Sequence, residues 1–290
     1  MEFWHFLVIG YVVSMSFGQY IGKVFVHKIH PYQILFYQYI ASIITTTIYI
    51  KLLKPDVGFF DIPIWFLGIG FLFAIAVTST YHAKKQSLSK TSVMTKVANF
   101  ITIILAVIFL QEYELISFSS FDGIQRLLGL LLIIVTVFLF YQKKTHRGSE
   151  ETFDHSVWIK WITVHIFVMG FAKFIVKYAV TEYDPLSVLR LQYIGSLFAI
   201  SLLCVFSRKT IFIGWKKMVG TLVIGLFIST AMSSLYVALS QSSATQVLSV
   251  VTVGMIMVLT LMGVFFFKEK ITKRMIVPFV LGIISIYFLK

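Results

Sequence analysis

Ile21–Ser42 reads IGKVFVHKIHPYQILFYQYIAS, and Ile175–Ser196 reads IVKYAVTEYDPLSVLRLQYIGS. A shift of 154 residues, without a gap, lays Ile21, Lys23, Val26, Pro31, Leu35, Gln38, Tyr39, Ile40 and Ser42 on identical residues, nine identities in 22 positions. Apolar bias supplies some chance matches, but not a Lys, a Pro and a Gln-Tyr-Ile run together. The correspondence continues along the chain. At a shift of 155, Ala76, Tyr81, Ala83, Gln86 and Ser87 fall on Ala231, Tyr236, Ala238, Gln241 and Ser242. At 157, Phe109 and Glu112 fall on Phe266 and Glu269; at 153, Leu128, Gly129 and Ile133 fall on Leu281, Gly282 and Ile286. The chain therefore reads as one unit written twice.

Composition says what the unit is made of. Of the 290 residues, 58% are hydrophobic and 13% charged, and the mean hydropathy is +0.90. A soluble domain carries roughly 25% charged residues, so lipid is the solvent over most of this surface. Ten apolar segments follow, near 3–26, 32–53, 62–83, 91–110, 126–142, 157–178, 185–206, 215–238, 244–267 and 274–289. The fifth and tenth are short. Lipid leaves no partner for unpaired backbone, so each is expected to be a helix. The first segment follows Glu2 and His5 rather than a basic leader and reads as a retained helix. Gln142–His155 (QKKTHRGSEETFDH) divides the chain. The expected organisation is a first five-helix repeat over 1–142, a polar linker over 143–156 and a second repeat over 157–290. Five is odd, so the second repeat enters the bilayer with the opposite orientation. The fold class is an all-α polytopic membrane protein of ten transmembrane helices in two inverted repeats. That is the recurrent plan of secondary transporters, because such halves can exchange an inward-open and an outward-open arrangement around one site. An inverted-repeat channel or scaffold shares the pattern.

The net charge of +13 does not point to nucleic acid, since the basic residues flank the spans in short loops. Cys204 is the single cysteine, which excludes an internal disulfide and a cysteine metal site.

Several short motifs resemble the EamA-like family of the drug/metabolite transporter superfamily. In that family a Pro opens the second helix of each half, often with an Arg five residues on; Pro185 and Arg190 fit, and Pro31 keeps the Pro but has Phe36 in place of the Arg. Leu110-Gln-Glu112 with Gly129, and Phe267-Lys-Glu269 with Gly282, are similar to the turn after the fourth helix and the glycine of the fifth. Tyr81-His-Ala and Tyr236-Val-Ala are similar to the end of the third. The chain lacks the Pro that many members carry in the fourth and ninth helices. Lys96 is similar to a Lys of the nucleotide-sugar translocators of the superfamily. The resemblance implies a transporter with cytoplasmic termini.

The chemistry is expected where ionisable residues lie inside spans. These are Lys23, Lys96, Lys173, Lys177 and Arg190, and no Asp or Glu lies deep in any span. Exporters of cationic drugs need a buried carboxylate, so the cations favour an anionic or zwitterionic solute. Arg190 can grip a carboxylate or phosphate at two points, and Lys acts as a point charge. Lys23 and Lys177 lie near span ends, where a long side chain also snorkels to the interface. Gln38-Tyr39 and Gln192-Tyr193 sit at matched depth, Asn99 follows Lys96 on one helix face, and Gln246 opens the ninth helix. The expected solute-binding set is Lys96, Arg190, Lys177, Lys23, Gln38, Tyr39, Gln192, Tyr193, Asn99, Tyr81, Tyr236 and Gln246. No catalytic residues, cofactor or metal are expected. Among the histidines only His82, beside Tyr81, stands out. Gly10, Gly18, Gly68, Gly70, Gly225 and Gly254 read as close helix contacts, and Trp4, Trp65, Trp158, Trp161 and Trp215 as interfacial anchors.

Of the other twenty basic residues, sixteen fall on the side of the first, third, fifth, seventh and ninth loops, and four on the side of the termini. The positive-inside rule then puts both termini outside, opposite to what the resemblance implies; the count takes precedence. The function expected is a secondary transporter of a small organic metabolite (an amino acid, or a phosphorylated or nucleotide-type compound) in the cell membrane, as a monomer or homodimer. The alternatives are an exporter of cationic or hydrophobic drugs and a membrane-embedded enzyme acting on lipid. The enzyme would need a nucleophile, base or metal set that the spans do not hold.

Overall fold

Proline at the first helical turn and a polar residue just before it start two of the helices. His30 caps Pro31–Leu53 (α2): its Nδ1 accepts from the Tyr32 N–H, while the Gln33 side chain accepts from the His30 N–H at 3.2 Å. Asp184 caps Pro185–Phe206 (α7), its carboxylate accepting from the Ser187 N–H at 2.9 Å. Pro at the first helical position costs no hydrogen bond, since that N–H has no partner in the helix. Asp154 starts His155–Glu182 (α6) the same way, accepting from Ser156 and Val157.

The computed structural model describes residues 2–25, 28–54, 56, 62–86, 91, 93–112, 121–141, 154–208, 210–267 and 273–288. Within them the remaining helices are Phe3–Phe25 (α1), Leu67–Gln86 (α3, entered by a 3-10 turn at Ile64–Phe66), Val97–Phe109 (α4), Phe121–Tyr141 (α5), Trp215–Gln241 (α8), Ala244–Phe267 (α9) and Lys273–Phe288 (α10). Most of the polar linker expected over 143–156, residues 143–153, lies outside the described residues, as does the side chain of Lys23.

Five stretches are long and apolar enough to cross a bilayer: Pro31–Leu53, Ile64–Gln86, His155–Glu182, Pro185–Phe206 and Trp215–Gln241. Val97–Phe109, Gly123–Leu139 and Ala244–Leu259 are shorter apolar helices. Large apolar side chains such as Phe6, Ile108, Phe198 and Val205 stand exposed around the bundle, as they do when the solvent is acyl chain rather than water. The protein is an integral membrane protein.

The two sequence halves interleave. α1 packs along α8, α3 along α6 and α7, α2 along α7 and α8, and α4 along α6 and α9. α5 packs mainly on α10, at the margin. One large apolar core runs through both halves, from Val8 and Leu35 to Leu189, Leu235 and Val251.

Polar links fix the two ends. The Gln33 amide donates to the Thr210 carbonyl at 2.6 Å, and the Asp154 N–H donates to Gln86 at 3.3 Å, so the start of α2, the end of α3 and the start of α6 share one end. With Lys84, Lys85, Lys216 and Lys217 there, it is the basic end. At the opposite end Lys54 pairs with Asp184. There the Lys177 ammonium also donates to the carbonyls of Leu239 and Ser242, each at 2.8 Å, closing the last turn of α8. Beside it the Glu112 carboxylate accepts from the Ala244 and Thr245 N–H groups at 2.9 and 3.2 Å and from the Thr245 hydroxyl at 3.0 Å. Glu112 thus caps α9 from a distance. Loss of a helix cap costs about 0.5–2 kcal/mol. Glu112→Ala is therefore expected to lower the melting temperature of the purified protein by several degrees; an unchanged melting curve would show that the cap contributes nothing.

Asp184 gives a second stability test. Burial pushes its carboxyl up, but the Lys54 ammonium and the Ser187 N–H outweigh burial and hold it below the ordinary carboxylate range. A folded value below the unfolded one, about 3.9, means that the stabilisation is fully present above the unfolded value. It is lost as the pH falls through the folded one. Asp184→Asn should therefore flatten the acid limb of the melting temperature below about pH 4; parallel acid limbs in the two proteins would refute this role.

Some expectations fail here. The fourth span is expected from residue 91, yet α4 begins at Val97, with helical backbone at Thr91, Val93 and Met94 and a turn at Thr95–Lys96 between. Thr, Lys and Asn in this stretch compete for the backbone or carry charge, and the helix breaks among them. Trp4 and Trp158 are buried rather than interfacial: Trp4 donates to Glu2 at 2.5 Å and Trp158 to the Thr91 hydroxyl at 2.9 Å. Trp65 and Trp215 are exposed. Gly68 meets nothing: a Cβ there would have no neighbour within 4 Å.

Candidate solute site

The centre of the bundle is made by two close crossings. A Cβ on Gly70 of α3 would lie 2.3 Å from the Gln192 carbonyl oxygen and 2.5 Å from the Ser196 nitrogen of α7. A Cβ on Gly225 of α8 would lie 2.5 Å from the Gln38 carbonyl oxygen of α2. Only glycine lets the backbones come so near. Each crossing carries the same hydrogen bond: the Ser196 hydroxyl donates to the Gly70 carbonyl at 2.9 Å, and the Ser42 hydroxyl to the Gly225 carbonyl at 3.3 Å. Gly70 and Gly225 differ by 155 in number, Ser42 and Ser196 by 154.

The crossings bring Gln38-Tyr39 and Gln192-Tyr193 together. The Tyr81 hydroxyl donates to the Gln38 amide oxygen at 3.4 Å, and the Tyr236 hydroxyl donates to the Gln192 amide oxygen. The rings of Tyr39 and Tyr193 lie 6.0 Å apart. Their hydroxyls approach Ser196 and Ser42 respectively, but neither makes a well-formed hydrogen bond. Buried polar atoms normally have partners; here both oxygens are closed off from the open space that the two residues line.

That space is a cavity of about 150 Å³. Gln38, Tyr39, Gln192 and Tyr193 line it, with Tyr81, Phe73 and Val77 of α3, Met15 and Gln19 of α1, and Ile228 and Met232 of α8. Lys84, Lys96 and Lys173 also line it. Lys96 stands at the start of α4, 7% exposed, where the side chain and the helix N-terminus bring positive charge to one place. Lys173 comes from the middle of α6, and its ammonium donates to the Asn99 amide oxygen at 2.7 Å. Asn99 in turn donates to the Thr252 hydroxyl at 2.8 Å, tying α4 to α9. Lys84, on the last turn of α3, holds its ammonium 5.6 Å from the centre of the Tyr81 ring. Among the described lining residues there is no Asp or Glu. His165 of α6 completes the wall; its Nδ1 lies 2.9 Å from the Ala76 carbonyl and 2.6 Å from the Thr80 hydroxyl. A carbonyl only accepts, so Nδ1 carries the proton in that contact, leaving Nε2 as the atom that changes with protonation.

Six expected residues meet here: Lys96, Gln38, Tyr39, Gln192, Tyr193 and Tyr81. Asn99 stands behind Lys173, and Tyr236 behind Gln192. Three lie elsewhere. Lys177 closes α8 and Arg190 is buried in α7, both outside the cavity wall. Gln246 accepts from Ser242 at the start of α9. His82 stacks on Trp161, with centroids 4.6 Å apart, also away from the cavity. The sequence reading does not include Lys84 or His165. Tyr81 at the preceding turn could mark Lys84, while His165 has no signal in its neighbours. Among the described residues no three His, Cys, Asp or Glu side chains are placed to hold a metal ion.

Residues 156–290 match the EamA-like transporter family. The second half of the chain is similar to that family. Pro185 with Arg190, Tyr236-Val-Ala, and Phe267-Lys-Glu269 with Gly282 all lie inside the matched range. The EamA-like match leaves out residues 1–155, whose tie to it is the internal correspondence that places Pro31, Gln38, Tyr39 and Ser42 on Pro185, Gln192, Tyr193 and Ser196. The fold extends over the whole chain. One crystal structure of a protein 9% identical in sequence aligns with a TM-score of 0.73, covering 98% of this chain and 94% of that one. No curated protein matches the sequence.

Proposed function

We propose that this protein is a secondary carrier in which two five-helix halves of opposite orientation enclose the central cavity and move a small anionic or zwitterionic metabolite by alternating access. The observation that carries the reading is the pairing of the cavity wall. Met15 and Met169, Gln38 and Gln192, and Tyr39 and Tyr193 are identical residues at a shift of 154, and all six line the cavity. Gln19 with Lys173, and Val77 with Met232, line it at the same shift or one residue more. The helix contacts support the same twofold plan. Exchanging the halves turns the α1–α8 contact into α6–α3, α2–α8 into α7–α3, and α1–α9 into α6–α4, and every one of these contacts occurs. A site shared by two such halves can be offered to either face with little change in its own wall. Both halves of the wall come from one chain, so a monomer suffices.

The preference for an anion comes from Lys84, Lys96 and Lys173 facing a cavity without a carboxylate among its described lining residues. An unpaired buried ammonium costs several kcal/mol, which a carboxylate or phosphate offsets. A cavity of about 150 Å³ holds a benzene-sized molecule, which favours amino or small organic acids over nucleotides. The test is thermal unfolding of the purified protein against a panel of amino acids, dicarboxylates, sugar phosphates and lipophilic cations. A bound ligand raises the melting temperature in step with its occupancy. Acids should stabilise the wild type and not Lys173→Ala. Stabilisation by the cations alone would replace this reading with that of a drug exporter.

A further inference from the structure

We propose that the carrier is polarised, capturing solute anions with higher affinity at the basic end and releasing them at the opposite end. The proposal rests on the carrier reading above and adds a direction to it. In an inverted pair, the state open at one end is lined by residues whose counterparts line the other state. From the cavity centre the present wall continues toward the basic end through Gly18, Gly22, Thr80 and Lys84, to Thr95 and Lys96. The counterparts of the first four, at shifts of 154 and 155, are Ala172, Val176, Leu235 and Leu239. These are 0–1% exposed, so the opposite mouth is packed shut in this state.

When that mouth opens, its wall is apolar. Lys84 is answered by Leu239. Lys96 is answered within α9, which has no ionisable residue between Ala244 and Phe267. Lys173 is answered by Gln19, and both stand at the centre. Lys177 and Glu112 lie at the opposite end, but they carry opposite charges and are engaged by the Leu239 and Ser242 carbonyls and by the start of α9. Lys54 and Asp184 pair in the same way. Arg190, on the second turn of α7 at that end, is buried, and its counterpart at a shift of 154 is Phe36, which is not part of the present wall, so the exchange of states does not bring Arg190 to the mouth. An anion therefore meets three amines when the basic end is open and chiefly Lys173 when the opposite end is open.

The chemistry sets the sign of the kinetics. A passive carrier cannot shift an equilibrium, so the lower half-saturation concentration at the basic end is matched by a proportionally lower maximal rate from that end. The basic end bears most of the loop Lys and Arg, which the positive-inside rule puts in the cytoplasm, so the carrier is tuned to pick up a scarce cytoplasmic anion for export.

The field in each mouth can be read without knowing the solute. In a Cys204→Ala background, Thr95→Cys and Leu239→Cys are modified in sealed vesicles of both orientations with anionic sulfonatoethyl and cationic trimethylammonioethyl methanethiosulfonate. Rates are normalised to a free thiol. A mouth lined by one sign of charge raises counter-ion encounter by about tenfold or more. Thr95→Cys should favour the anionic reagent by about that factor, and adding Lys84→Gln and Lys96→Gln should remove the bias. Leu239→Cys should react from the opposite face with no anionic bias. If Thr95→Cys shows no bias, or Leu239→Cys shows the same bias, the polarity is wrong while the carrier reading stands. If Leu239→Cys reacts from neither face while Thr95→Cys reacts, there is no second opening, and the carrier reading falls with the polarity.

Discussion

Gly70→Ala is expected to cost the protein its fold in detergent, whereas Gly68→Ala two residues away is expected to be silent. The new methyl of Gly70→Ala would sit 2.3 Å from one backbone atom of α7 and 2.5 Å from another. Backbone atoms in the middle of a helix cannot swing aside as a side chain can, so α3 and α7 must move apart by about 1 Å to restore ordinary contact. That separation stretches the Ser196–Gly70 hydrogen bond and shifts Gln192 and Tyr193, which sit on the same turns. Overpacking of a tight core typically costs about 1–3 kcal/mol, more where backbone is the obstacle. Alanine is also the better helix former by about 1 kcal/mol, which sets a conservative bound, since the clash must exceed that gain before any loss is seen. The expected result is a loss of the monodisperse peak in size-exclusion chromatography, or a melting temperature lowered by many degrees. Gly225→Ala should do the same, with its Cβ 2.5 Å from the Gln38 carbonyl. Equal melting temperatures for Gly70→Ala and Gly68→Ala would mean that the crossing is looser than described.

Lys96→Ala is expected to weaken binding of the solute by at least tenfold without lowering the melting temperature of the empty protein. A hydrogen bond to a charged group contributes about 1.5–3 kcal/mol, or between about 10- and 150-fold in affinity. Removing a buried cation from a cavity that holds two others relieves repulsion in the empty state. Loss of affinity with unchanged or raised stability is therefore the signature of a ligand-facing charge. A structural cation behaves in the reverse way. Lys177 is the internal comparison: its ammonium closes the last turn of α8, so Lys177→Ala should destabilise the empty protein. Lys96→Arg should keep part of the affinity, since the charge remains while its geometry changes. Binding measured calorimetrically with the best acid from the melting panel decides the matter; an unaltered affinity in Lys96→Ala would remove Lys96 from the site.

Much of the fold and site is legible in the order of residues. The doubled unit by itself matches Gln38-Tyr39 with Gln192-Tyr193, and the cavity wall contains all four. Pro31 and Pro185 mark the starts of α2 and α7 to within one residue. Depth along a helix can be read from distance to its ends, but rotation about its axis cannot. In a soluble bundle the polar stripe betrays the outer face; in lipid the outer and inner faces are equally apolar. For that reason the sequence favours Lys177, which matches Lys23 in the repeat but ties α8, over Lys173, which sits one turn away on α6 and lines the cavity. Arg190 reads as an anion grip by residue type, yet the cavity wall does not include it. The break at Thr95–Lys96 escapes notice because polar residues at a span end also read as ordinary interface. Trp4 and Trp158 read as anchors by their place near span ends, and only the packing around them shows that both rings are buried, with the Trp4 indole N–H donating to the exposed Glu2 and that of Trp158 to Thr91 inside the bundle.

The relation between the halves is most directly tested by the sidedness of Lys28 and Glu182, which correspond at a shift of 154 and are both exposed. In the Cys204→Ala background, Lys28→Cys and Glu182→Cys are labelled in sealed vesicles with a membrane-impermeant maleimide. Two inverted halves require opposite answers, one cysteine reacting only from outside and the other only after the membrane is opened. Labelling of both from the same face would mean that the halves run parallel, and the alternating-access carrier would go with them.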